Sequence, residues 1–239
     1  MKKGITLLLI LSLLLTFAAC GKKDPVVQPN QTDIPDTQPQ QTVTEPTEPV
    51  PTWMTFPADR QLTARQYFVF DCENGEFLTI SGAEDERIYP ASITKLFTAY
   101  VANQFLHPDK EITVNKALEY VYAGSSLADL KKGDVVTTRR LVEGMLLPSG
   151  NDAAQVAAVA AGRAIAGDNH LNYETAVEVF VGEMNRQAEA LGMVNSHFVT
   201  PDGFHRDNHY TTMDDLVIIC QKVLAEPVIL KYASRAKDT

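Results

Sequence analysis

Two short segments bring together residue types that can perform nucleophilic catalysis. The first is Ser92-Ile93-Thr94-Lys95. Residues three apart on a helix share a face, with Cβ atoms about 5–6 Å apart, so the Lys95 amine can approach the Ser92 hydroxyl. A serine at a helix start also brings a bound carbonyl close to backbone N–H groups that have no partner within the helix. For Lys95 to act as the base it must be neutral. From a free pKa of about 10.4 that costs about 4–5 kcal/mol at pH 7, a cost that burial or a neighbouring cation lowers. The second segment is Ser149-Gly150-Asn151. A hydroxyl at Ser149 can pass a proton, and the Asn151 amide can hydrogen-bond both Lys95 and a substrate carbonyl. By itself each segment also has a plain structural reading. Ser-x-x-Lys is a common spacing, and Ser-Gly-Asn makes a good helix-capping turn.

A second Ser-x-x-Lys, Ser234 to Lys237, falls in a polar tail and is read as coincidence. His205 and His209, with Asp202 and Asp207 nearby, have a spacing that could suggest metal ligands. Pro201 and Gly203 in the same stretch argue against a helical two-histidine face, so loop hydrogen bonding is expected there, and neither a metal nor a cofactor is assigned.

The elements that must position these residues follow from the pattern. Gln66 to Asp71 reads as a strand, Asn74-Gly75 as a hairpin turn and Phe77 to Ile80 as the return strand. Pro90-Ala91 leads into an apolar helix from Ser92 to about Phe105, stopped by His107-Pro108. A second helix covers Thr138 to Leu147. After the Pro148-Ser149-Gly150 break, Asn151 or Asp152 is expected to cap an Ala-rich, buried helix running to about Ala166. Thr175 to Leu191 makes a further helix ended by Gly192, and Thr212 to Asp215 resembles a capping box before a helix from Leu216 to Ala225. Two strands are a small share of a sheet, so the remaining strands are expected beyond Thr239.

The strings Pro90-Ala91-Ser92-Ile93-Thr94-Lys95 and Leu146-Leu147-Pro148-Ser149-Gly150-Asn151-Asp152-Ala153-Ala154 resemble the signature segments of low-molecular-mass D-alanyl-D-alanine carboxypeptidases, the serine penicillin-binding proteins. Met184-Asn185, Ala190 to Met193, His197-Phe198, Pro201-Asp202-Gly203-Phe204 and Tyr210 to Leu216 agree, so the resemblance covers about residues 67–227.

It implies an α+β fold of the DD-peptidase/β-lactamase type, helices packed on a mainly antiparallel sheet. It also implies roles: Ser92 the acylated nucleophile, Lys95 its proton acceptor, Ser149 and Asn151 the rest of the proton network. Gly150 and Asn151 would contact the substrate, and the Ser92 N–H would form half the oxyanion hole. The implied partners are peptidoglycan stem peptides ending in D-Ala-D-Ala and β-lactam antibiotics. The family's third motif, Lys-Thr-Gly or Lys-Ser-Gly, is absent from the 239 residues. The resemblance places it downstream of Ser-x-Asn, so a chain truncated before that motif, and inactive alone, is expected. Two other readings compete: a class A-like serine β-lactamase, and a non-catalytic penicillin-binding or cell-wall lipoprotein. Against the first, no loop Glu suited to a deacylating water stands out between Asp152 and Asn195.

Composition bounds the rest. The chain has a net charge of -9 and 45% hydrophobic residues, so it builds a core and offers no basic patch for nucleic acid. Residues 1–20 read as a signal segment: Lys2 and Lys3, an apolar run from Ile5, then Ala18-Ala19-Cys20. This resembles the lipobox of bacterial lipoproteins, with Phe17 where Leu is usual, and implies lipidation at Cys20 and tethering to the outer face of a bacterial membrane. Residues 21–58 hold eight of the thirteen prolines and read as a disordered, semi-rigid linker before a folded part over 59–239. Of the other cysteines, Cys72 and Cys220 make no disulfide framework, and Cys220 is expected to be a buried thiol.

Overall fold

The computed structural model describes residues 63–71, 74–83 and 85–235. The signal segment with Cys20, the linker, the start of the folded part at 59, Cys72 and Lys237 lie outside the described residues.

Aromatic and β-branched residues form the expected hairpin. Strand β1 (Tyr67–Asp71) pairs antiparallel with β2 (Glu76–Ser81). Gly75 supplies the turn at φ 72°, a conformation that suits glycine. The ring of Phe77 meets Phe68 and Phe70 edge-on.

Pro90 precedes a 3-10 turn at Ala91–Ile93, which runs directly into helix α1 (Thr94–Phe105). The helix expected from Ser92 therefore starts two residues later, and Ser92 sits in the tighter turn. A second antiparallel pair, β3 (Glu111–Thr113) with β4 (Val135–Thr137), was not evident from the pattern because its strands are three residues each. Helix α2 (Thr138–Leu146) follows, capped by the Thr137 hydroxyl. Helix α3 (Asn151–Ala166) is buried on nearly every side of its first three turns, as its alanines require. It packs against α1, α2 and α4 (Tyr173–Ala190). Its approach to α4 is close at Gly162, where a Cβ would fall 1.9 Å from the Ala176 carbonyl oxygen. Helix α5 (Met213–Leu224) is capped by Thr212, as the capping-box pattern predicts. Pro227 opens a short helix α6 (Pro227–Ala233), for proline suits a first helical turn.

Two expectations need correction. The cap of α3 is Gly150, not Asn151 or Asp152. Both of these lie inside the first turn, and their side chains reach sideways to a neighbouring loop. Cys220 is half-buried, not buried, because α5 turns Leu216, Ile219 and Val223 inward and leaves Cys220 at the edge of that face. The α+β class holds: six helices and two small antiparallel pairs among the described residues.

Candidate active site

The buried end of α1 and the loop that enters α3 meet at Lys95. This side chain is 1% exposed, while Ser92 is exposed. Lys95 Nζ lies 3.1 Å from Ser92 Oγ and 3.4 Å from Ser149 Oγ, and donates to the Asp202 carbonyl at 2.9 Å. Burial lowers the Lys95 pKa below its ordinary value, with the Asp202 charge acting the other way. Both tendencies have a plain cause: a desolvated ammonium is disfavoured, and a nearby carboxylate favours it. The net direction moves the amine toward the neutral form a base needs.

The backbone around Ser92 is held in an unusual shape. Ala91 has φ 46°, in the left-handed region that non-glycine residues rarely adopt. Its carbonyl is pressed by Gly203, where a Cβ would stand 1.8 Å from the Ala91 oxygen and 2.9 Å from Thr94 Oγ1. Gly203 is itself at φ 78°. Only glycine fits that contact, which explains the glycine in Pro201-Asp202-Gly203. Just upstream, Ile88 and Thr211 exchange backbone hydrogen bonds at 2.8 and 2.9 Å, docking the loop at 197–211 beside the Ser92 turn.

That loop is fixed from several sides. Asn185 on α4 accepts from Phe198 N and donates to Phe198 O, both at 2.8 Å. Thr98 donates to the Pro201 carbonyl at 2.6 Å. The Asp202 carboxylate is buried and accepts from Gln155 Nε2 at 3.0 Å and from Phe204 N at 2.9 Å. Gln155 in turn accepts from the Tyr173 hydroxyl. His209 is buried and neutral: burial pulls its pKa down to about 4. Its Nδ1 accepts from Val199 N at 3.1 Å and Thr200 N at 3.3 Å, which leaves the proton on Nε2 to donate to Thr94 Oγ1 at 2.9 Å. Loop hydrogen bonding is thus what His209 does. His205 faces elsewhere, exposed against Tyr89 and 3.6 Å from Asp207. Among the described residues no group of three or more His, Cys, Asp or Glu side chains could hold a metal ion.

The second segment is clamped differently. Ser149 has φ 59°, again left-handed. Asn151 Nδ2 donates to Ser125 Oγ at 3.0 Å, not to Lys95, and its backbone N–H donates to Ser126 O at 2.8 Å. Asp152 accepts from Ala128 N at 2.8 Å, Leu130 N at 3.0 Å and Ala153 N at 2.9 Å. Gly150 makes this possible, for a Cβ there would meet Asp152 Oδ1 at 2.6 Å and Ala128 N at 2.7 Å.

Ser92 and Lys95 are therefore brought together as their spacing predicted, and Ser149 joins them from another segment, while Asn151 turns to another partner. Sequence reasoning missed Ser125, Gln155 and the structural use of Asp152. Nothing in their local pattern marks them, since each works through a contact with another segment. The exposed Ser234 donates to Lys231 O of its own helix.

Known proteins resemble the chain over this same region. The sequence model of the D-alanyl-D-alanine carboxypeptidase family matches residues 53–239. D-alanyl-D-alanine carboxypeptidase DacA of Escherichia coli strain K12 is 35% identical over 179 residues, 71% of this chain and 41% of that protein. A D-alanyl-D-alanine carboxypeptidase of Streptomyces sp. strain K15 is 36% identical over 156 residues, 63% of this chain and 52% of that protein. The crystal structure of the Streptomyces K15 DD-transpeptidase superposes with a TM-score of 0.65 at 32% identity, covering 72% of this chain and 65% of that one. DacD from Francisella tularensis gives 0.60 at 31%, covering 75% and 41%. The chain thus spans about two fifths to a half of the curated relatives it matches.

Proposed function

Because the chain belongs to the D-alanyl-D-alanine carboxypeptidase family, we propose that it is the catalytic part of a serine D-Ala-D-Ala carboxypeptidase acting on peptidoglycan stem peptides through an acyl-enzyme. The observation that carries this reading is the placement of the buried Lys95 amine within reach of both Ser92 and Ser149. Neutral Lys95 takes the Ser92 proton as Oγ attacks the carbonyl of the scissile bond. The negative charge gathers on the carbonyl oxygen, where the Ser92 N–H stabilises it. The proton then passes by way of Ser149 to the departing D-Ala amine, leaving an ester on Ser92 that water cleaves. Asn151 and Gly150 line the substrate's path. The lowered Lys95 pKa means that acylation rises with pH through a value below the 10.5 of a free lysine. Penicillins acylate the same serine. The 239 residues hold no Lys-Thr-Gly or Lys-Ser-Gly, so D-Ala release by this polypeptide alone is expected to be undetectable.

The test is covalent labelling of the full-length protein by a fluorescent penicillin, with peptide mapping. The label belongs on Ser92, and Ser92→Ala abolishes it; a label on Ser149 or Ser234 overturns the assignment. The K15 relative of known structure is a DD-transpeptidase, and transfer of the acyl group is an alternative that shares every step up to the ester. Release of free peptide, against transfer to an added amine, separates the two. A long-lived penicilloyl ester, against rapid turnover, separates both from a β-lactamase.

On the same reading the protein works outside the cell, tethered by a lipid on Cys20 at the end of Ala18-Ala19-Cys20. Unchanged processing and membrane association in Cys20→Ser would remove that anchor.

A further inference from the structure

Beside the site, an aromatic and cationic stack joins the two loops that hold the catalytic residues. Tyr122 lies three residues before Ser125, the partner of Asn151. Phe204 follows Gly203 and Asp202, the partners of Ala91 and Lys95. The two rings stack at 4.2 Å and 18°, so the loops touch through them. Arg206 lies across both rings, its guanidinium carbon 4.7 Å from the Tyr122 centroid and 5.5 Å from that of Phe204. Tyr122 and Ser125 also line one open cavity of about 700 Å³, large enough for several peptide units.

The guanidinium is held but not neutralised. One arm donates to the His205 carbonyl at 2.7 Å and another to the Tyr122 hydroxyl. The adjacent Asp207 carboxylate faces His205 at 3.6 Å, and among the described residues no carboxylate pairs with Arg206. The chain carries 30 acidic against 21 basic residues, and this guanidinium is half-buried. Arginine flat on aromatic faces loses little freedom when it binds and still offers N–H donors at its edge, a geometry suited to a carboxylate. The stacked rings fix it on the loop whose Gly203 and Asp202 meet Ala91 and Lys95, against the loop whose Ser125 meets Asn151.

We infer that Arg206, laid on the Tyr122–Phe204 stack, recognises a carboxylate on the acyl-donor peptide upstream of the scissile bond and so sets which stem peptides are acylated. This inference rests on the carboxypeptidase reading. Its test uses the full-length protein and two peptides ending in D-Ala-D-Ala. They differ only upstream, where one carries a free carboxylate and the other its carboxamide. One charge-assisted hydrogen bond at a half-exposed position corresponds to about a five- to tenfold preference in kcat/KM for the carboxylate. Arg206→Gln should bring the ratio to about one, and Arg206→Lys should restore part of it, since lysine keeps the charge without the fork. The preference should also shrink at high salt. A wild type that treats the peptides alike, or a ratio that survives Arg206→Gln, overturns the inference. So does an equal loss on both peptides, which would mark Arg206 as only a prop for the two loops. Penicillin labelling of Ser92 distinguishes the layers. If Ser92 is labelled and the ratio ignores Arg206, only this inference fails; if Ser92 is not labelled, the activity on which it rests fails first.

Discussion

At the first turn of the candidate site, that of Ser92, Ala91 stands at φ 46°, and at the second Ser149 stands at φ 59°. Each left-handed non-glycine residue costs on the order of 1–2 kcal/mol, so each persists only because its surroundings over-determine it. The surroundings differ. The Ala91 turn is gripped by buried, titratable side chains and their loop: His209 on Thr94, Asp202 next to Lys95, and Gly203 pressed on the Ala91 carbonyl. The Ser149 turn is gripped mostly by backbone groups, with Ala128 and Leu130 N–H on Asp152 and the Ser126 carbonyl on Asn151 N. Burial lowers the proton affinity of Lys95, with the Asp202 charge acting the other way, so the first turn is tuned as well as held. The second is held through the buried Asp152 carboxylate, on which the amides of Ala128 and Leu130 converge.

The largest expected effect tests the tuned turn. Lys95→Arg keeps the positive charge and removes the neutral amine, so penicillin acylation should fall by about 10²–10⁴-fold, the usual worth of a positioned general base. A rate within a few-fold of wild type would show that the amine at this position is not the base, and the contrast between the turns would lose its chemical meaning. Next comes the steric grip. Gly203→Ala sets a methyl against the Ala91 carbonyl and forces alanine to φ 78°, which should destabilise by about 3 kcal/mol or more, read as a lowered denaturation midpoint. Near-normal stability would mean that the Ala91 turn does not depend on that contact.

The smallest effect is in acid. An unfolded histidine takes a proton below about 6.5, whereas folded His209 takes one only near 4, so between these values the unfolded state binds the extra proton. Stability should therefore fall as pH drops from 6.5 toward 4, by ~1–3 kcal/mol. His209→Gln, which can still accept from the loop and donate to Thr94, should flatten that limb. A pH slope identical in the variant would place the acid sensitivity elsewhere.

Much of this could be read from the chain itself. The Ser92–Lys95 spacing, the Ser149–Asn151 turn and the Ala-rich pattern of α3 are local features, set by helix period and by the volume of alanine, and the structure keeps all three. The Thr212 cap and the β1–β2 hairpin are local in the same sense. What no local pattern could carry was the pairing of distant segments. Asn151 turns to Ser125 instead of Lys95, Asp152 serves the loop at 128–130 instead of capping its helix, and Gly203 meets Ala91 across more than a hundred residues of sequence. Each of these is settled by which buried donor finds which acceptor once the helices have packed, because an unpaired polar group in the interior costs more than any local preference offers. Sequence thus determined the candidate reacting groups and their order along the chain, and tertiary packing decided which partners hold them in place.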